Sequence, residues 1–146
     1  MFPESDKKFM KLAVAEARKA PFPFGCVLVR DGRVLSRGQS GETTDFDPTA
    51  HAEVNAIRAA CRILKTKDLR GSTIYTTAEP CPMCFTAAWW AHVSRVVFGI
   101  TLEESSKLFG REILVPASYL NKRGGQIIEL RGSVLKSEVL EMLERT

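Results

Sequence analysis

No stretch of this 146-residue chain is apolar for long enough to cross a bilayer. Runs such as Val96-Val97-Phe98 end after a few residues, whereas a spanning helix needs about 20. The first residues, Met1-Phe2-Pro3-Glu4-Ser5-Asp6, lack the basic segment and apolar core of a secretory signal, so the cytosol is the expected compartment. No internal repeat, low-complexity tract or linker divides the sequence. Residues 1–146 are therefore expected to form one domain with its own core. Runs of five or six like charges, which mark nucleic-acid-binding tails, are also missing. The chain does carry 21 Lys+Arg against 17 Asp+Glu, a net charge of +4. Residues 1–73 hold 13 basic and 9 acidic side chains, while residues 74–146 hold 8 of each. The excess is scattered through the first half, as on a solvated surface. Cysteine is scarce: Cys26, Cys61, Cys81 and Cys84 are all there is. In a cytosolic chain these read as thiols or metal ligands, not as a disulfide framework.

What is present is a regular alternation of elements. Residues 4–19 place Phe9, Leu12, Ala13, Ala17 and Ala20 at helical spacing until Pro21 and Pro23 intervene. Gly25 to Val29 reads as a buried strand, Asp31-Gly32 as a two-residue hairpin turn, and Val34-Leu35 as the returning strand. Residues 38–48 read as a loop and residues 50–64 as a second helix. Strands are predicted at Ser72–Thr77, Arg95–Ile100 and Ile127–Leu130, with helices over 82–92, 102–108 and 134–144. A hairpin followed by alternating strands and helices implies an α/β fold. Its mixed sheet would have helices on both faces and parallel pairs among the later strands.

Two segments carry chemistry: Pro48-Thr49-Ala50-His51-Ala52-Glu53-Val54-Asn55-Ala56 and Glu79-Pro80-Cys81-Pro82-Met83-Cys84. C-x-x-C at a helix start can turn both sulfurs to one ion. Pro82 suits the first helical position, and the helix N-terminus favours thiolate. The pair alone also fits a redox couple, half of a structural zinc site, or two packed thiols. Cys26 and Cys61 fall mid-strand and mid-helix and are expected in the core. His51, at the other helix start, supplies a third ligand. Three protein ligands leave the fourth tetrahedral position of a zinc ion open to water, the catalytic arrangement, and zinc brings the pKa of that water to about 7. Glu53, beside the metal but not on it, is placed to move protons from the water to a leaving amine. H-x-E followed by P-C-x-x-C is the signature of zinc nucleobase deaminases.

Residues 9–100 resemble the cytidine deaminase superfamily, with both motifs in the family's order, and within it most resemble bacterial guanine deaminases. The resemblance implies a three-layer α-β-α sandwich with a five-stranded mixed sheet. It implies zinc on His51, Cys81 and Cys84, with Glu53 as the catalytic proton shuttle. It also implies that Ala52 offers its backbone N–H to the substrate ring, and that Phe24 and Trp90 form walls of a base pocket. Core packing is the alternative for those two aromatics. Eleven residues before the zinc histidine the family carries a base-binding Asn; here that place falls on Ser40, within Gly38-Gln39-Ser40-Gly41. A hydroxyl cannot offer the paired donor and acceptor of an amide, unless Gln39 swings in. From Thr101 onward no family signature is evident.

The leading expectation is hydrolysis of a small aminated base, guanine to xanthine and ammonia, in a cytoplasmic homodimer with Trp89-Trp90 at the contact. Cytosine or another aminated heterocycle is an alternative substrate. Adenosine deamination in tRNA is a second reading. It would need a basic clasp, and the chain instead ends Glu138, Glu141, Glu144 with only Lys136 and Arg145 nearby. A zinc-stabilised binding module is a third, but it leaves Glu53 without a purpose. No membrane contact is expected.

Overall fold

A computed structural model describes residues 2–144; Arg145 lies outside the described residues. The chain opens with helix α1 (Glu4–Ala17), then strands β1 (Gly25–Arg30) and β2 (Arg33–Gln39). Asp31 and Gly32 join them with φ of 53° and 73°, the paired left-handed conformation of a type I′ hairpin. Helix α2 (Ala52–Leu64), strand β3 (Ser72–Ala78), helix α3 (Pro82–Trp90) and strand β4 (Arg95–Ile100) follow. The last part contains α4 (Leu102–Phe109), α5 (Ala117–Arg123), β5 (Glu129–Arg131) and α6 (Lys136–Glu144).

The five strands form one sheet in the order β2-β1-β3-β4-β5. β1 pairs antiparallel with β2 and β3, whereas β3–β4 and β4–β5 are parallel. The central strands are apolar on both faces, and period two divides them. Cys26, Leu28, Ile74 and Val96 pack under Ala56, Ile57 and Ala60 of α2 and Phe85 and Ala88 of α3. Val27, Val29, Tyr75 and Val97 face the other way, onto Phe9, Met10 and Ala13 of α1. Val139, Met142 and Leu143 of α6 cover Ile100 on that side. The expected α/β sandwich with a five-stranded mixed sheet is thus the fold. A buried carboxylate pins the α1 face: Asp6 accepts from the Tyr75 hydroxyl at 2.8 Å and from two Arg95 nitrogens at 2.7 Å each.

Three local expectations are corrected. β2 runs through Gly38 and Gln39, because Gly38 pairs with Cys26 instead of opening the loop. α5 was not anticipated; it is a seven-residue helix with few apolar positions. The last strand is Glu129–Arg131, not Ile127–Leu130. Asn121 takes the main chain of Ile128 for itself, donating to its carbonyl at 2.7 Å and accepting its N–H at 3.2 Å. Ile128 is still buried, but its backbone is not in the sheet. Cys26 is buried as expected, whereas Cys61 is only half-buried at the rim of the core.

Candidate active site

The N-termini of α2 and α3 meet at one end of the sheet. His51 is the N-cap of α2 and Cys81 the N-cap of α3, with Pro82 opening α3 and Cys84 in its first turn. This brings His51 Nδ1 to 3.6 Å from Cys81 Sγ and 3.4 Å from Cys84 Sγ. Tetrahedral zinc with bonds of about 2.0–2.3 Å holds its ligand atoms about 3.5 Å apart, so both distances from His51 suit the ion, and all three donor atoms lie within 4.8 Å of one another. Cys84 is buried and the other two are half-buried, which leaves one side open to the cavity.

The electrostatics suit a cation. The Cys84 S–H and the His51 ring both hydrogen-bond Cys81, which pulls the Cys81 thiol down to about 4 against the opposing effect of burial. The same Cys81 contact pushes His51 up to about 9, and donation to Cys81 together with burial pushes Cys84 upward. Without metal the three groups share protons among themselves. Metal binding must displace those protons, so affinity rises with pH.

Glu53, in the first turn of α2, is buried behind the donors. Its Oε1 accepts from Thr76 Oγ1 of β3 at 3.0 Å. Burial raises its pKa and the Cys81 thiolate adds to this, while Thr76 opposes it. A carboxyl raised in this way is a stronger base than an ordinary carboxylate and so better suited to taking a proton before returning it.

The site opens into a cavity of about 630 Å³. Phe24, Ser40, Ala52 and Glu53 line it, as do His51 and Cys81. Ala52 is the first helical residue of α2, and first-turn N–H groups have no helical partner. Ser40 is held in place by its N–H to the Phe24 carbonyl at 3.3 Å. Gln39 does not line the cavity. Trp90 does not reach it either: it is the last residue of α3, 69% exposed, against Trp89 edge to face. Within this chain a different ring, Phe109, packs on Phe24 with centroids 5.2 Å apart.

Three carboxylates at the site had not been singled out. Glu42 touches His51 Nε2 at 3.1 Å. Glu79 is buried beside the C-x-x-C pair and accepts two backbone amides, Leu102 at 2.9 Å and Ala117 at 2.7 Å. Glu112, between α4 and α5, lines the cavity with no hydrogen-bond or ion-pair partner among the described residues. Burial and the Cys81 thiolate raise its pKa. Glu79 stood within a recognised motif. Glu42 and Glu112 lie in segments with no spacing to mark them.

Fold, donor set and non-ligand carboxylate together define a zinc-dependent deaminase. The family model for the cytidine and deoxycytidylate deaminase zinc-binding region matches residues 3–100, and the chain belongs to that family. Two relatives frame it. A guanine deaminase of Bacillus subtilis is 50% identical over 76 residues, which is 52% of this chain and 49% of that protein. A tRNA-specific adenosine deaminase of Buchnera aphidicola is 33% identical over 144 residues, 96% of this chain and 86% of that one. Among solved structures, a chain from a study of A-to-I editing by tRNA:A34 deaminases superposes with a TM-score of 0.73 at 33% identity, over 92% of this chain and 98% of its own. The B. subtilis guanine deaminase structure gives 0.70 at 37%, over 84% and 76%. The chain accordingly carries the donor set of a zinc-binding family whose deaminases hydrolyse C–N bonds. Among the described residues no helix is long and apolar enough to cross a membrane.

Proposed function

We propose that this deaminase acts on a small free heterocyclic base, with guanine to xanthine and ammonia as the reaction. The observation that carries the reading is Glu112, a carboxylate that lines the same cavity as His51 and Cys81 and has no hydrogen-bond or ion-pair partner among the described residues. Guanine presents a ring N–H beside the carbon that loses its amine, a donor that a carboxylate accepts. Three of the acidic side chains there, Glu42, Glu53 and Glu112, also make the cavity a poor host for phosphate.

Zinc, when bound, supplies hydroxide at neutral pH by lowering the pKa of water. Glu53 takes the proton released as water adds to the amine-bearing carbon. It then returns that proton to the departing nitrogen. A C–O bond forms, the exocyclic C–N bond breaks, and ammonia carries away the proton. Ala52 N–H and Ser40 would hold the ring from one side, Glu112 from another, with Phe24 against its face.

A second reading, adenosine deamination in tRNA, is favoured by the near full-length similarity to the Buchnera aphidicola enzyme. Ammonia release from guanine, cytosine, adenine, their nucleosides and small aminotriazines, measured beside inosine formation in a tRNA anticodon substrate, separates the two. Turnover of free guanine supports the first reading. Inosine formation with no free-base activity replaces it with the second. The reading includes a cytoplasmic homodimer using the exposed Trp90 surface, which gel filtration of Trp90→Ser tests.

A further inference from the structure

Glu42 stands outside both motifs, yet its contact is directed at a metal ligand. His51 turns Nδ1 to the two sulfurs, so Nε2 faces away from them, and Glu42 Oε1 lies 3.1 Å from that atom. A neutral imidazole carries one proton. If it sits on Nε2, the Nδ1 lone pair is free for zinc; if it sits on Nδ1, that lone pair is lost. Which form prevails depends on the hydrogen bond the other nitrogen makes.

The chain fixes Glu42 from below as well. Its carbonyl accepts the Asp47 N–H at 3.1 Å. The neighbouring Gly41 N–H donates to Ala50 O at 2.9 Å, and Asp45 N–H returns to Gly41 O at 2.8 Å. Asn55, from within α2, donates to Gln39 O at 2.9 Å and Ala50 O at 3.3 Å, closing both ends of the loop. The loop that carries Glu42 is thus tied to the same helix that His51 caps. Neither Ser40 nor Glu53 touches Nε2, so Glu42 alone occupies that position among the described residues.

We propose that Glu42 is a positioning residue of the zinc centre: it accepts the His51 Nε2–H, holds the ring plane and keeps Nδ1 as the metal-binding nitrogen. The inference rests on the zinc site itself and not on the choice of substrate, so it stands whether guanine or a tRNA adenosine is deaminated. It concerns how tightly and in what geometry the metal is held, and Glu42 is not a zinc ligand.

The test compares Glu42→Ala and Glu42→Gln in the full chain by competition for zinc with a chromophoric chelator. Circular dichroism of each variant checks that it is folded. Glu42→Ala should weaken zinc binding by about tenfold or more, the usual effect of losing such a partner, while Glu42→Gln, whose amide oxygen still accepts, should stay within about threefold. Long-range 1H–15N spectra of the zinc-loaded protein give an independent readout. The His51 Nε2–H resonance should be protected from solvent exchange in the parent and in Glu42→Gln, and exchange rapidly in Glu42→Ala. Unchanged zinc affinity with an unchanged Nε2–H signal in Glu42→Ala overturns the proposal. Equal loss of affinity in both variants also overturns it, since the hydrogen bond would then not be what matters.

Discussion

Glu79 and Ala117 are 38 residues apart and joined by a buried 2.7 Å hydrogen bond from the Ala117 amide to Glu79 Oε2. The other oxygen of the same carboxylate accepts the Leu102 amide at 2.9 Å. These amides open α5 and α4, the two helices that bracket Gly110 to Ile113 and so bring Glu112 to the cavity. Glu79→Ala leaves both buried amides without a partner and should cost about 3 kcal/mol, read from denaturant unfolding. Glu79→Gln can satisfy one amide and should lose less. In both variants KM should rise more than kcat falls, because the cavity wall loosens while zinc and Glu53 stay in place.

Glu53→Gln should reduce kcat by about a thousandfold or more with zinc retained at one per chain, measured by metal analysis. Thr76→Val gives a subtler test. The Thr76 hydroxyl bonds the charged form of Glu53 and so lowers a pKa that burial raises. Without it the pKa rises further. Activity that needs the carboxylate is present above that pKa and lost as pH falls through it. The acid limb of kcat/KM should therefore move to higher pH in Thr76→Val. An acid limb that stays put would remove Glu53 as the group titrating there.

Gly38 shows how the backbone sets the site. A methyl group built there would fall within bonding range of the Ala52 carbonyl oxygen and 2.9 Å from the Ala56 amide nitrogen, both in α2. The helix that carries His51 and Glu53 lies directly on β2 at this point. Gly38→Ala must push α2 outward, at about 2 kcal/mol or more for overpacking a core. Zinc affinity should fall along with the melting temperature, since His51 moves with α2 and Cys81 does not. Gly32→Ala, at a turn open to solvent, serves as a control that should melt lower with zinc affinity unchanged.

The sheet was legible because its strands are marked by chemistry that acts locally: Asp31-Gly32 for the hairpin, and β-branched runs between turn residues for β3 and β4. The zinc donors were legible because two helix starts impose fixed spacings, H-x-E and C-x-x-C. Glu42, Glu79 and Glu112 were not, since each works through a contact across the fold. Glu42 reaches back onto a helix cap and Glu79 grips amides far along the chain. Glu112 arrives only because α4 and α5 are held down. Ile127–Leu130 had the composition of a strand, but Asn121 outcompeted the sheet for the backbone of Ile128. Trp90 had the composition of a pocket wall, yet α3 turns it to solvent and leaves Phe109 to pack on Phe24.

Substrate choice should lie with Glu112 and Ser40. A hydrogen bond to a charged acceptor contributes about 1.5–3 kcal/mol, so Glu112→Ala should lower kcat/KM for guanine between about tenfold and a hundredfold. Most of that should appear in KM if the contact is equally strong in ground and transition states. A base with no ring N–H beside its amine-bearing carbon, such as cytosine, should be less affected, and the ratio of the two substrates is the decisive number. Ser40 stands buried against the Phe24 carbonyl at the place where the family resemblance puts an amide. Ser40→Asn restores a donor and an acceptor at that place and should raise kcat/KM for the true substrate class by about tenfold if the family's contact is simply missing. A fall in activity on every substrate would mean the opposite. The space left by the shorter hydroxyl would then be part of the pocket's fit, and the natural substrate would be bulkier than guanine on that edge.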